Sequence, residues 1–131
     1  NVEDLCGVYT FSHVHQMIST ISSKLDNKND FIDLIASTFP MGSMTGAPKV
    51  KAMELIEKYE ETKRGVFSGS VGYVMPNGDF DFNVIIRSLL YDSKQKYLSL
   101  SVGGAIVSKS DPKSEYEECL IKAKPIFEIF T

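Results

Sequence analysis

Between Val66 and Val107 the chain carries three runs rich in β-branched and aromatic residues, parted by two short polar stretches. No other feature constrains the fold as much, because such runs are half-buried strands and the polar breaks are turns. The runs cover residues 66–75, 80–91 and 97–107, with "MPNGD" between the first two and "DSKQK" between the second and third. Asn77 and Gly78 are expected to supply the positive-φ residues of a tight hairpin, so the three runs read as an antiparallel meander.

Helical signals surround the meander. Residues 8–21, "VYTFSHVHQMISTI", still read as strand over most of their length. "LDNKND" is a polar turn, after which Asp30 is placed to cap a short helix through Thr38, with Phe31, Leu34, Ile35 and Thr38 at helical spacing and Pro40 ending it. Pro48 suits the first position of a second helix, whose apolar positions are Val50, Met53, Leu55, Ile56 and Tyr59; Gly65 breaks its charged tail "EKYEETKR". A last helix starts near "SDPKSE", with Asp111 as cap and Pro112 in its first turn, and runs to about Phe130. The order predicts an α+β fold, an antiparallel sheet with helices packed on one face.

With 131 residues, 43% of them hydrophobic, the chain suits one domain. Its net charge of −3 creates no general attraction to nucleic acid or to anionic membrane, so an anionic ligand would need a local cluster of cations. Cys6 and Cys119 have neither metal nor redox spacing, which fits a reduced, cytoplasmic protein. No apolar run nears the roughly 18 residues of a membrane span, and no signal peptide opens the chain. Residues 1–9 begin at Asn1 and read as the middle of a longer polypeptide.

"FPMGSMTGAPKVKAMELIE", residues 39–57, has the outline of a loop feeding a helix N-terminus, a natural place for an anion. It is not a nucleotide cradle. Gly42 to Gly46 is one residue too short for the phosphate-binding pattern, Ala47-Pro48 separates Gly46 from Lys49, and Val50 stands where a hydroxyl would bind magnesium. Pro48 also lacks the N–H that such a cradle uses. What remains is a Gly-Ser-Met-Thr-Gly turn able to meet a carboxylate or hydroxyl, or else a capped helix entry with no ligand at all.

Three further features could share a site. On the last helix, Glu115, Glu118 and Lys122 fall within an arc of roughly 60°, beside an apolar arc of Tyr116, Cys119, Leu120, Ala123, Ile126, Phe127 and Phe130. Two carboxylates one turn apart repel, and an oxygen-seeking cation such as Mg²⁺ would relieve that; the plain alternative is a Glu-Lys surface pair. Arg87, in "FNVIIRSLL", is a lone cation in an apolar run. It either pairs with Asp81 or a glutamate, or clamps a carboxylate bidentately. Gly103 and Gly104, in "SVGGAIV", mark either a bulge or exposed N–H groups open to an anion.

Taken together, "FPMGSMTGAPKVKAMELIE", "FSGSVGY", "IIRSLL", "VGGAIV" and "SDPKSEYEECLIKAK" resemble, in the same order, the motifs of the chorismate-binding enzymes. That family includes component I of anthranilate synthase, component I of para-aminobenzoate (aminodeoxychorismate) synthase, and the isochorismate and salicylate synthases. Thr45 in "GSMTGAPK" makes the para-aminobenzoate type the nearest likeness. The resemblance implies that Glu118 ligates Mg²⁺, with Glu115 beside it, and that the metal holds the ring carboxylate of chorismate and helps the hydroxyl depart. It further implies that Arg87 and the N–H groups around Gly103 and Gly104 grip the enolpyruvyl carboxylate, with Lys122 close by and Ser43 and Thr45 lining the ring side. Ammonia would come from a glutamine amidotransferase subunit or domain.

The chain departs from the family pattern in places. Many relatives place a His where Gln16 stands, near the leaving hydroxyl; Gln16 can donate a hydrogen bond but cannot act as a general acid. The neighbouring His15 points to the opposite face of a strand and does not replace it. Phe67 takes a place often held by Tyr or Trp, and Ala105 that of a common Gly. The resemblance also implies that residues 1–131 are the C-terminal portion of a catalytic domain. A second Mg²⁺-ligating glutamate and a ring-attacking lysine would then precede Asn1, and the chain alone would not turn over. Anthranilate synthase component I is the nearest enzymatic rival, and a non-catalytic carboxylate-binding module of the same fold is the rival of another class.

Overall fold

The computed structural model describes residues 1–12, 14–25 and 30–130. The chain divides into two compact units, one of Asn1–Phe39 and one from Pro40 onward.

The first unit opens with an antiparallel pair, β1 (Val2–Thr10) and β2 (His15–Ile21), with Gly7 opposite Ile18 and Tyr9 opposite Gln16. Strand does cover most of residues 8–21 as expected, but the run is split between β1 and β2 by a reversal in which the Phe11 N–H donates to the Val14 carbonyl at 2.9 Å. β-prone residues persist through the turn, so composition left it unmarked. Register shifts between Val2 and Gly7 bulge β1, and Cys6 takes a φ of 55° there. Most of the polar turn "LDNKND", residues 26–29, lies outside the described residues. Helix α1 (Phe31–Thr38) starts where expected because the Asp30 carboxylate accepts the Asp33 N–H at 2.9 Å.

In the second unit a 3₁₀ turn, Gly42–Met44, leads into α2 (Lys49–Tyr59), with Pro48 at the cap position just before the helix. Two hairpins follow. β3 (Ser70–Val74) pairs with β4 (Phe80–Val84), and β5 (Leu89–Asp92) pairs with β6 (Tyr97–Leu100), all antiparallel. The class is α+β as expected, but the meander is cut in two. The run over 80–91 breaks at residues 85–88, where Arg87 adopts a φ of 51°, a left-handed conformation that no strand can hold. The outer runs are shorter too: residues 66–69 form a turn and, among the described residues, 101–107 pair with no strand.

The hairpin turn is built differently from the expectation. Gly78 alone has positive φ, at 92°. The Gly78 N–H donates to the Met75 carbonyl at 2.9 Å and the Met75 N–H to the Asp79 carbonyl at 2.7 Å. This is a three-residue loop with glycine at the left-handed position. Within the pair, Gly72 lies opposite Phe82. A Cβ on Gly72 would overlap the Asp81 carbonyl oxygen and sit 2.6 Å from the Phe82 ring, so only glycine fits.

Helix α3 (Pro112–Phe127) ends in a 3₁₀ turn, Glu128–Phe130, matching its expected limits. Its apolar arc is another matter. Ala123 is buried, and Cys119 and Ile126 are half-covered, but Tyr116, Leu120, Phe127 and Phe130 are exposed. Helical periodicity marks which residues share a face; it does not supply the surface that covers them. Among the described residues no helix is long and apolar enough to cross a membrane.

Candidate active site

Asp111 sets the start, and so the rotational phase, of α3. Its carboxylate accepts both the backbone N–H and the hydroxyl of Ser114, each at 2.9 Å. The Ser114 backbone bond, followed by its hydroxyl, holds the Asp111 carboxyl below its usual range. With the helix so fixed, its covered side carries Glu115, Cys119, Lys122, Ala123 and Ile126. Two charged groups thus lie on the sheltered face.

What shelters them in part is the irregular segment after β6. The Lys122 ammonium lies 2.5 Å from Glu118 Oε1 and donates to the Gly103 carbonyl at 3.0 Å. A Cβ placed on Gly104 would stand 3.2 Å from Glu115 Oε2 and 3.6 Å from Glu118 Oε1. Both carboxylates therefore converge above one stretch of bare backbone. Glycine at 104 leaves that approach open, and the ion pair ties helix and segment together.

Two carboxylates and one ammonium leave this cluster a net negative charge, and the like charges repel. The donors are hard oxygens, the kind a small divalent cation takes. Among the described residues no third His, Cys, Asp or Glu joins them into a metal-holding group. Two carboxylates supply only part of a coordination sphere, the remainder of which a cation such as Mg²⁺ takes from water or ligand oxygens.

The other expected site residues are more dispersed. Arg87 is exposed in the bend between β4 and β5 and makes no hydrogen bond or ion pair among the described residues, so Asp81 is not its partner. Thr45 closes its own turn, its hydroxyl donating to the Met41 carbonyl at 3.0 Å, while Ser43 is exposed. Gln16 is exposed on β2, in the first unit. Within the second unit the structure thus gathers Glu115, Glu118, Lys122, Gly103 and Gly104, and among the described residues no hydrogen bond or ion pair joins Ser43, Thr45 or Arg87 to them.

One polar junction escaped the sequence reading. The Arg64 guanidinium grips Glu60 bidentately, Nε to Oε2 at 2.8 Å and Nη2 to Oε1 at 2.5 Å. Its Nη1 donates to the Met44 carbonyl at 2.8 Å and to Ser68 Oγ at 3.1 Å. The hydrogen bond to Arg64, more than its charge alone, holds the Glu60 carboxyl below the usual glutamate range. The i, i+4 spacing of Glu60 and Arg64, inside the charged tail "EKYEETKR", is the signal the sequence offers for it.

Known proteins match this chain along most of its length. Residues 1–128 fit the family model described as chorismate binding enzyme. The chain is 43% identical over 124 residues to the probable aminodeoxychorismate synthase, chloroplastic, of Oryza sativa subsp. japonica, covering 95% of this chain and 14% of that protein. It is 44% identical over 119 residues to anthranilate synthase component 1 of Haloferax volcanii, covering 89% and 23% respectively. The crystal structure of anthranilate synthase component I from Streptococcus pneumoniae superposes with a TM-score of 0.80 at 32% identity, covering 95% of this chain and 28% of that one. The chain thus spans less than a third of the length of each of these relatives. With the family model matched almost end to end, the chain belongs to the chorismate binding enzymes.

Proposed function

We propose that this chain carries part of the active site of an aminodeoxychorismate synthase component I, which replaces the C4 hydroxyl of chorismate with an amine. The observation that carries the proposal is the convergence of Glu115 and Glu118 over Gly104, with Lys122 bridging Glu118 to the Gly103 carbonyl. Glu118, with Glu115 beside it, would hold Mg²⁺, whose charge would offset that of the substrate's ring carboxylate and of the departing hydroxyl. Lys122 lies where it can adjust to substrate charge, because its present partners are a carboxylate and a neutral carbonyl.

Among the described residues the Arg87 guanidinium has no partner, as a group that takes a bidentate carboxylate requires, and we assign it the enolpyruvyl carboxylate together with the Gly103 and Gly104 N–H groups. Ser43 and Thr45 would line the ring side. Gln16 would donate a hydrogen bond to the leaving oxygen without supplying a proton. A glutamine amidotransferase subunit or domain would deliver ammonia, and we place the reaction in the cytoplasm. Several relatives bear the name aminodeoxychorismate synthase, which supports this reading.

A second reading, anthranilate synthase component I, is favoured by equal likeness to proteins of that name. Incubating the intact protein with chorismate, ammonia and Mg²⁺ and identifying the product separates the two. Aminodeoxychorismate is expected; anthranilate would transfer the assignment to the second reading, and neither product would end both.

A further inference from the structure

Arg64 follows α2 in the sequence "KRG", yet its guanidinium joins three places in the second unit. Nε and Nη2 hold Glu60, in the cap position after α2, while Nη1 reaches Ser68, just before β3, and the Met44 carbonyl in the Gly42–Met44 turn. Ser68 is itself a firm post. It is 8% exposed, its φ is 69°, and its N–H donates to the Ile85 carbonyl at 3.0 Å, extending the β3–β4 pair. The Arg64 side chain is only 26% exposed and stacks near the Phe67 ring, 5.9 Å from its centroid.

The turn needs such an anchor. Its own bonds are local: Met44 N–H to the Met41 carbonyl at 3.0 Å and Thr45 N–H to the Gly42 carbonyl at 3.2 Å. A single 3₁₀ turn of this kind has poor hydrogen-bond geometry and little cooperativity. The bond from Arg64 ties it to α2 and to the strand pair, 20 residues away in sequence.

We infer that Arg64 is a positioning residue that holds the Gly42–Met44 turn in the shape that presents Ser43 and Thr45 to substrate. The part about substrate rests on the chorismate reading above; the part about the turn does not. The planar fork matters as much as the charge: Nε and Nη2 take the carboxylate side by side while Nη1 reaches the carbonyl and the hydroxyl, whereas the three N–H groups of a lysine radiate from one nitrogen and cannot be set that far apart.

The test is Arg64→Lys in the intact protein, read by amide hydrogen exchange and by steady-state kinetics. Exchange at Met44 and Thr45 should quicken about tenfold or more, the factor expected when a charge-assisted hydrogen bond is lost, while amides of β5 and β6 keep wild-type rates. The KM for chorismate should rise about tenfold with kcat held within about threefold, as loss of ground-state positioning predicts. Ser68→Gly is the second variant. It removes one post at a position whose backbone glycine accepts freely, and should shift the same two readouts in the same direction by less.

Unchanged exchange at Met44 and Thr45 in folded Arg64→Lys overturns the inference. Should that variant not fold, Ser68→Gly decides by the same measurement. A wild-type protein that leaves chorismate untouched would defeat the proposed function instead, and exchange alone would then judge the anchor.

Discussion

Lys122 stands one helical turn beyond Glu118, and its ammonium touches that carboxylate at 2.5 Å while also donating to the Gly103 carbonyl. The side chains are 31% and 50% exposed, so as a structural pair they contribute little. Lys122→Met is expected to change the unfolding free energy by no more than about 1 kcal/mol. Under the chorismate reading it should lower kcat/KM by about 10- to 100-fold, the loss of one charge-assisted contact to substrate. Glu118→Gln should remove the Mg²⁺ dependence of turnover, which a metal titration of the intact protein would reveal. Magnesium dependence surviving in that variant would contradict the role given to Glu118.

Arg87 sits at φ 51°, a conformation that costs a non-glycine residue about 1 kcal/mol or more. Arg87→Gly therefore separates fold from function. Stability should stay within about 1 kcal/mol of wild type or rise, because glycine relieves the backbone. Chorismate affinity should fall at least about tenfold through loss of the bidentate contact. Calorimetry against substrate titration checks both, and a variant that binds normally would release Arg87 from the site.

Gly72 faces the opposite demand. Its missing Cβ lets β3 lie against Asp81 and Phe82, and an alanine there would overlap main-chain oxygen that cannot swing aside. Gly72→Ala should destabilise the intact protein by about 2–4 kcal/mol, within the range of overpacking and backbone strain. Gly103→Ala is the control, since nothing lies within 4 Å of a Cβ at that position. Thermal unfolding of the two variants should differ clearly; equal midpoints would refute the account of β3.

Glu60 supplies a pH signature. Its folded carboxyl titrates below the ordinary value of 4.5, chiefly through its hydrogen bond to Arg64. The stability it contributes is therefore full above the unfolded value and is lost as pH falls through the folded one. The gap in melting temperature between wild type and Glu60→Gln should narrow on going from about pH 6 to about pH 3. Asp111, lowered by its bonds to Ser114, should keep an acid-sensitive limb in both proteins. A gap that widens in acid would mean that the Glu60–Arg64 bond does not set the titration.

Much of this molecule is legible without coordinates, and the legible part is local. The limits of α1 and α3, their caps Asp30 and Asp111, and the shared arc of Glu115, Glu118 and Lys122 all arise within one or two helical turns. Such features depend on residues three or four apart, whose geometry the peptide backbone dictates. The five motifs in order were likewise enough to point to the family later matched by residues 1–128.

Only the tertiary structure decided the break at Arg87, the division of the strands into separate hairpins, the approach of Gly104 to Glu115 and Glu118, and the reach of Arg64 to Met44. Each joins residues distant in sequence or depends on a backbone angle that side-chain type alone does not impose. Strand propensity describes a surface that could pair, whereas pairing and close approach are settled by whichever segments the folded chain brings alongside.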